Sequence, residues 1–184
     1  MLRNTTTQWG WVAKGFHWVM AALILVQVPL GVAARAWRVS PAKIELFFWH
    51  KSLGVLLLAL ITLRLVWRIA DPAPALPAEL PAWERAAARA SHALLYVLLV
   101  LLPLTGWVVN AAANIPFRAF RVLPLPAIVG PDEAQADAFA RVHVGLAIAL
   151  VVVLVVHVAA ALRHHVVRRN DVLERMLPRW GRSR

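Results

Sequence analysis

Residues 141–165, RVHVGLAIALVVVLVVHVAAALRHH, hold two histidines 14 residues apart in a run that is otherwise almost wholly apolar. Fourteen residues are close to four α-helical turns, so His143 and His157 leave nearly the same face of one helix, about 21 Å apart along its axis. The run is also long enough to cross the hydrocarbon core of a bilayer, for which about 20 residues suffice. A single membrane helix would therefore carry one imidazole towards each membrane surface.

The rest of the chain repeats the pattern. Of the 184 residues 61% are hydrophobic and mean hydropathy is +0.66, more apolar surface than a soluble domain of this size can bury. Spans are predicted at about 16–36, 45–67, 91–110 and 142–163. This gives an all-α integral membrane four-helix bundle forming one domain over 1–184. Lys14 and the small-residue stretch Val32–Ala36 bracket the first span as in a secretory signal, but the run is longer than a signal's and opens on Phe16-His17-Trp18, so it is read as a retained span. Trp18, Trp37, Trp49, Trp67 and Trp107 lie near span ends, where amphipathic rings prefer to sit.

Charge gives the orientation. With both termini cytoplasmic, the inner side collects 13 Lys and Arg residues: Arg3, Lys14, Arg64, Arg68, Arg85, Arg89, Arg163, Arg168, Arg169, Arg175, Arg179, Arg182 and Arg184. The outer side then holds seven, Arg35, Arg38, Lys43, Lys51, Arg118, Arg121 and Arg141. The positive-inside rule favours that arrangement. The net charge of +11 is thus a topology and lipid-headgroup signal rather than one for nucleic acid, for which no motif occurs.

Pro72, Pro74, Pro77 and Pro81 make residues 70–82 an extended cytoplasmic strap. Residues 111–141 are read as the longest loop, on the outer side, starting basic at Arg118 and Arg121 and carrying the acidic patch Asp132-Glu133; it is a candidate lid. Pro29 and Pro103 fall inside spans and are expected to kink them.

The chain contains no cysteine, which removes disulfides, iron–sulfur clusters and thioether-linked haem. No phosphate-binding glycine loop, dinucleotide fingerprint or His-Glu-x-x-His zinc motif occurs. Depth sorts the histidines that remain: His50 and His143 share the outer level, and His17, His92 and His157 share the inner one. Imidazoles at membrane depth are costly unless they face a bundle interior or a site. Haem suits matched imidazole pairs better than zinc does, because no carboxylate or thiol accompanies them. Depth alone leaves His17 and His92 as alternative partners for His157. Gly31, Gly54, Gly106 and Gly145 would leave room for a macrocycle or serve close helix packing.

Phe16-His17-Trp18, Trp49-His50-Lys51-Ser52-Leu53-Gly54, Ser91-His92-Ala93-Leu94-Leu95-Tyr96, Val142-His143-Val144-Gly145-Leu146 and the run from His157 to His165 together resemble the bacterial cytochrome b561 family, related to the cytochrome b subunits of nickel–iron hydrogenases. The tail Asn170–Pro178 is similar to the family's as well. The resemblance implies a multi-pass protein of the bacterial inner (cytoplasmic) membrane with two haem b groups, His17 and His157 on the inner iron and His50 and His143 on the outer. It thereby chooses His17 over His92, which is left a second role near the inner haem or a quinone. His164 and His165 lie past the span, open to a propionate or quinone contact. Arg64 and Arg68 are candidate partners for inner haem propionates, and Lys51 and Arg141 for outer ones, against simple snorkelling to headgroups.

Bis-histidine ligation fills both axial positions of an iron and favours single-electron exchange over oxygen binding. The family transfers electrons to or from membrane quinone, and free-standing members of this length resemble the superoxide oxidases. The expected reaction is therefore an oxidoreductase one, superoxide oxidised outside and ubiquinone reduced. Lys51, Arg118, Arg121 and Arg141 would steer the anion, against the opposing charge of Asp132, Glu133 and Asp137. The alternative is a membrane cytochrome subunit that takes electrons from a separate dehydrogenase or hydrogenase, its basic tail docking that redox partner protein. A third, non-redox reading makes the histidines relay ligands of a metal-ion transporter.

Overall fold

A computed structural model describes residues 1–76 and 80–178 of the chain. The expectations for Pro77, Arg179, Arg182 and Arg184 lie outside the described residues. Four long helices dominate: α1 (Trp11–Ala36), α2 (Pro41–Ala70), α3 (Ala82–Ala112) and α4 (Glu133–Val166). All four are long and apolar enough to cross a membrane.

Each helix outruns its predicted span, because the apolar count stops where side chains become charged while the backbone goes on bonding. Ser40 caps α2, its side chain accepting from the Lys43 amide, with Pro41 as first residue. Asp132 caps α4 in the same way through Gln135 N at 2.9 Å. The expected loop 111–141 is therefore corrected to 113–132: Asp132-Glu133 is the start of a helix, not an acidic patch within a lid. His164 and His165, expected past the helix, occupy its last turn. Pro29 and Pro103 both sit inside continuous helices.

Successive helices pack on one another, α1 on α2, α2 on α3 and α3 on α4, whereas α1 and α4 have next to no direct backbone contact. The buried core is a mid-depth belt of Met20, Ile24, Leu57, Ile61, Leu98, Leu99 and Leu150, drawn from all four helices. Outward faces stay apolar, with Leu25, Val26, Val155 and Val156 exposed, as lipid contact requires.

The bundle has two differently built ends. At the loop end, a two-stranded hairpin pairs β1 (Arg118–Ala119) with β2 (Leu123–Pro124) in antiparallel register. It is fastened to α2: Phe120 N donates to the buried Ser52 Oγ at 3.1 Å, and Arg121 pairs with Glu45 at 2.8 Å while lying over the Phe48 ring. Phe120 and Arg121 take positive φ values of 53° and 63°, a conformation that side chains resist and that these contacts hold in place. The connection is a docked cover rather than a loose lid.

At the tail end, three segments interlock. Asn4 bonds Asp71 Oδ2 and the main-chain oxygens of Asp71 and Pro72, and Ala75 N donates to Thr6 O. The C-terminal segment returns beneath α1, where Lys14 Nζ donates to Leu177 O at 3.0 Å and Trp18 Nε1 to Met176 O at 2.9 Å.

Candidate functional site

The histidines gather at the two levels their spacing implies. Near the loop end, the rings of His50 on α2 and His143 on α4 lie 6.2 Å apart between centroids. Near the tail end, His157 on α4 is 6.4 Å from His17 on α1 and 5.4 Å from His92 on α3. The mid-depth belt contributes Leu150, halfway between His143 and His157 on α4, and separates the two clusters.

The His50–His143 level opens into a cavity of about 640 Å³ lined by all four helices, including Gln27, Gly31, Arg35, His50, Lys51, Gly106, Asn110, His143 and Ala147. Both imidazoles rest on a neighbouring helix that carries a glycine where they touch it. A Cβ on Gly31 would stand 2.6 Å from His50 Cε1, and one on Gly106 would stand 3.3 Å from His143 Cε1. A Cβ on Gly54 would stand 3.4 Å from Gln27 Nε2, an ordinary van der Waals contact, and one on Gly145 would meet nothing within 4 Å. Two of the four glycines singled out in the sequence, Gly31 and Gly106, thus make room for a site ring.

Hydrogen bonds fix the His143 tautomer. Thr105 Oγ1 donates to Leu102 O at 2.9 Å and lies 3.0 Å from His143 Nδ1. Its only hydrogen is used on the carbonyl, so it accepts from Nδ1–H, and the lone pair of His143 is left on Nε2. On the other side, Gln27 Nε2 donates to the main-chain oxygen of His50 at 2.8 Å. Gln27 Oε1 and His50 Nδ1 are buried without hydrogen-bond partners.

The cations sort by position. Lys51 lines the cavity and donates to Asn110 Oδ1 at 2.6 Å, its ammonium above the Phe117 ring. Arg35, read in the sequence only as a topology charge, also lines the cavity. Arg141 is exposed and is not among the lining residues. At the tail end, Arg64 lies over the Tyr96 ring and Arg68 over the Trp9 ring. Trp67 Nε1 and Ser91 Oγ, on the same ends of α2 and α3, are buried donors with no partner. Beyond His157, Glu84 holds Arg163 at 3.2 Å and Arg168 at 3.0 Å, and Arg175 pairs with Asp171. Arg163, Arg168 and Arg175 thus each have an ion-pair partner within the molecule.

The donor set fits a haem. Both family-implied pairs stand with ring centroids 6.2 and 6.4 Å apart, near enough for two imidazoles to share one metal. Among the described residues no group of three or more His, Cys, Asp or Glu is arranged to hold an ion alone. A macrocycle that brings its own nitrogen ligands needs only such pairs. The apolar cavity, the glycines beneath the rings and the unpartnered polar atoms are what a flat group with polar edges would meet.

The missed residues had a sequence signal. Gln27 and Thr105 are lone polar side chains in the apolar runs ILVQVPLG and VLLPLTGW, and such residues in a span need a polar partner.

Comparison with known proteins accords with this geometry. A family model described as prokaryotic cytochrome b561 matches residues 8–179. The chain is similar to cytochrome b561 homolog 2 of Escherichia coli (strain K12), with 34% identity over 180 residues, 95% of this chain and 93% of that protein. It is 26% identical over 167 residues to cytochrome b561 homolog 1 of the same organism, covering 89% of this chain and 93% of the relative. A probable superoxide oxidase CybB of Yersinia pestis is 26% identical over 169 residues, 90% of this chain and 93% of that protein. Matched along nearly its whole length, the chain belongs to the prokaryotic cytochrome b561 family, membrane electron-transfer proteins that bind haem b, and is a multi-pass protein of the bacterial inner membrane.

Proposed function

We propose that the chain is a single-domain transmembrane di-haem cytochrome that takes electrons from superoxide at its loop end and passes them to ubiquinone, with both termini cytoplasmic. The observation that carries this is the sharing of α4: His143 faces His50 and His157 faces His17, so one helix supplies a ligand to each of two sites at separate depths. Haem bound there supplies a one-electron couple at each level. His17 and His157 hold the tail-end group, His50 and His143 the loop-end one. A haem held by His17 and His157, and one held by His50 and His143, would supply one-electron chemistry at its edges rather than oxygen binding.

The chain's own residues dress those edges. Arg35 and Lys51 place two cations at the loop-end cavity, suited to propionates and to drawing in an anion. Arg121, by contrast, is occupied by Glu45. Arg64 and Arg68, with the donors Trp67 Nε1 and Ser91 Oγ, offer hydrogen bonds to propionates at the tail end. His92, exposed and against His157, keeps the second role near the tail-end haem or a quinone. The overall exchange balances as two superoxide anions giving two O₂ and two electrons, with ubiquinone taking those electrons and two protons. Similarity to a probable superoxide oxidase supports this choice of donor.

Rapid mixing of the oxidised, purified protein with superoxide tests the reading. Reduction of b-type haem followed by reoxidation on adding a ubiquinone analogue is expected. Haem reduction no faster than the uncatalysed background would remove superoxide as the donor.

A further inference from the structure

Gln27 sits in an apolar stretch of α1, where a primary amide is costly unless its groups are bonded. Half of it is accounted for. Its Nε2 donates to the main-chain oxygen of His50 at 2.8 Å, beside Gly54. One turn further along α1, Gly31 admits the His50 ring. From the place where a Gly31 Cβ would be, Cε1 lies at 2.6 Å, Nδ1 at 3.0 Å and Nε2 at 3.4 Å, so the ring turns its Cε1–Nδ1 edge to α1. The two atoms left over, Gln27 Oε1 and His50 Nδ1, are both buried and both without a partner. One is an acceptor and the other is able to donate, on residues already joined through the first bond.

We propose that Gln27 is the positioning residue of His50: the two leftover atoms are not bonded to each other in this structure, and a turn of the His50 ring on taking up haem would bring Nδ1–H onto Gln27 Oε1 while Nε2 holds the main chain. His50 then presents Nε2 to the cavity, as Thr105 makes His143 do from the opposite wall. The inference rests on the reading of His50 as a ligand of the loop-end haem. An Nδ1–H that is hydrogen-bonded makes an imidazole a more basic ligand. A more basic ligand favours the oxidised iron, so Gln27 holds the loop-end potential down.

The test is a redox titration and haem count on the purified full-length chain, as wild type, Gln27→Leu and Gln27→Glu, with His17→Ala protein marking the loop-end haem. Gln27→Leu is expected to keep two haems and raise the loop-end potential by about a tenfold change in its reduction equilibrium, about 59 mV for one electron. The tail-end haem should not move. Gln27→Glu, which keeps an acceptor and adds charge, should return the loop-end potential to the wild-type value or below it. Two bound haems with wild-type potentials in Gln27→Leu would overturn the proposal. If Gln27→Leu loses a haem, retention of both in Gln27→Glu supports it and loss in both overturns it. Failure of the di-haem reading itself would show elsewhere, as fewer than two haems in wild type or as two retained in His50→Ala.

Discussion

Thr105 Oγ1 lies 3.0 Å from His143 Nδ1 and gives its own hydrogen to Leu102 O, so a single hydroxyl sets which nitrogen of His143 faces the cavity. Such outer partners of a ligand typically account for about 10- to 100-fold in affinity. Thr105→Val keeps the shape and removes the acceptor. It is expected to speed loss of the loop-end haem to an apo-globin acceptor by about tenfold, with Thr105→Ser close to wild type.

The glycines make a graded series. Gly31→Ala puts a methyl 2.6 Å from His50 Cε1, a distance that forces the ring to move, and should cost most of the loop-end haem. Gly106→Ala, at 3.3 Å from His143 Cε1, should weaken binding mildly. Gly145→Ala meets nothing within 4 Å and should leave haem content unchanged. A haem count per chain that departs from this order would refute the cradle role of the two rings' glycines.

Ligand assignment is tested by subtraction. His17→Ala and His50→Ala should each lose one haem, a different one in each case. His157→Ala should reproduce the His17→Ala spectrum and His143→Ala the His50→Ala spectrum, and the His143→Ala/His157→Ala double variant should be colourless. His92→Ala should keep both haems, because the reading pairs His157 with His17 even though the His92 ring is 1.0 Å closer, 5.4 Å against 6.4 Å. Two haems retained in His143→Ala would overturn the assignment.

Glu84 draws the start of α3 onto the end of α4 through Arg163 and Arg168, with His164 Nε2 at 3.8 Å. Its side chain is almost fully enclosed while both arginines are half exposed, so the charge it leaves behind on removal can still find water. Glu84→Ala is expected to lower the thermal unfolding midpoint by several degrees without altering the number of haems.

How much of this was legible in the sequence depends on the kind of signal. Both histidine levels were readable because an imidazole stands out in an apolar run and helical period converts residue number to depth. Helix ends were not. Charged Glu84 and Arg85 lie within α3, although the hydropathy of 91–110 stops short of them, and Asp132 reads as loop until its side chain is seen on Gln135 N. The wall residues were harder still. Gln27 serves a histidine 23 positions away and Thr105 one 38 positions away, and no periodicity within a helix states what a neighbouring helix presents. Arg141 was given a site role and Arg35 only a topology one, yet the cavity wall holds Arg35 and not Arg141.

The near absence of backbone contact between α1 and α4 bears on how cells would manage this protein. Apart from the tail beneath Lys14 and Trp18 and the core that Met20 and Ile24 share with Leu150, a group held between His17 and His157 would be what joins those helices across the bundle. On that reading the prosthetic group would be a keystone as well as a conductor, closing a bundle in which α1 otherwise leans mainly on α2. In haem-starved cells the half-life should shorten, and a crosslink engineered between α1 and α4 should form only once haem is restored.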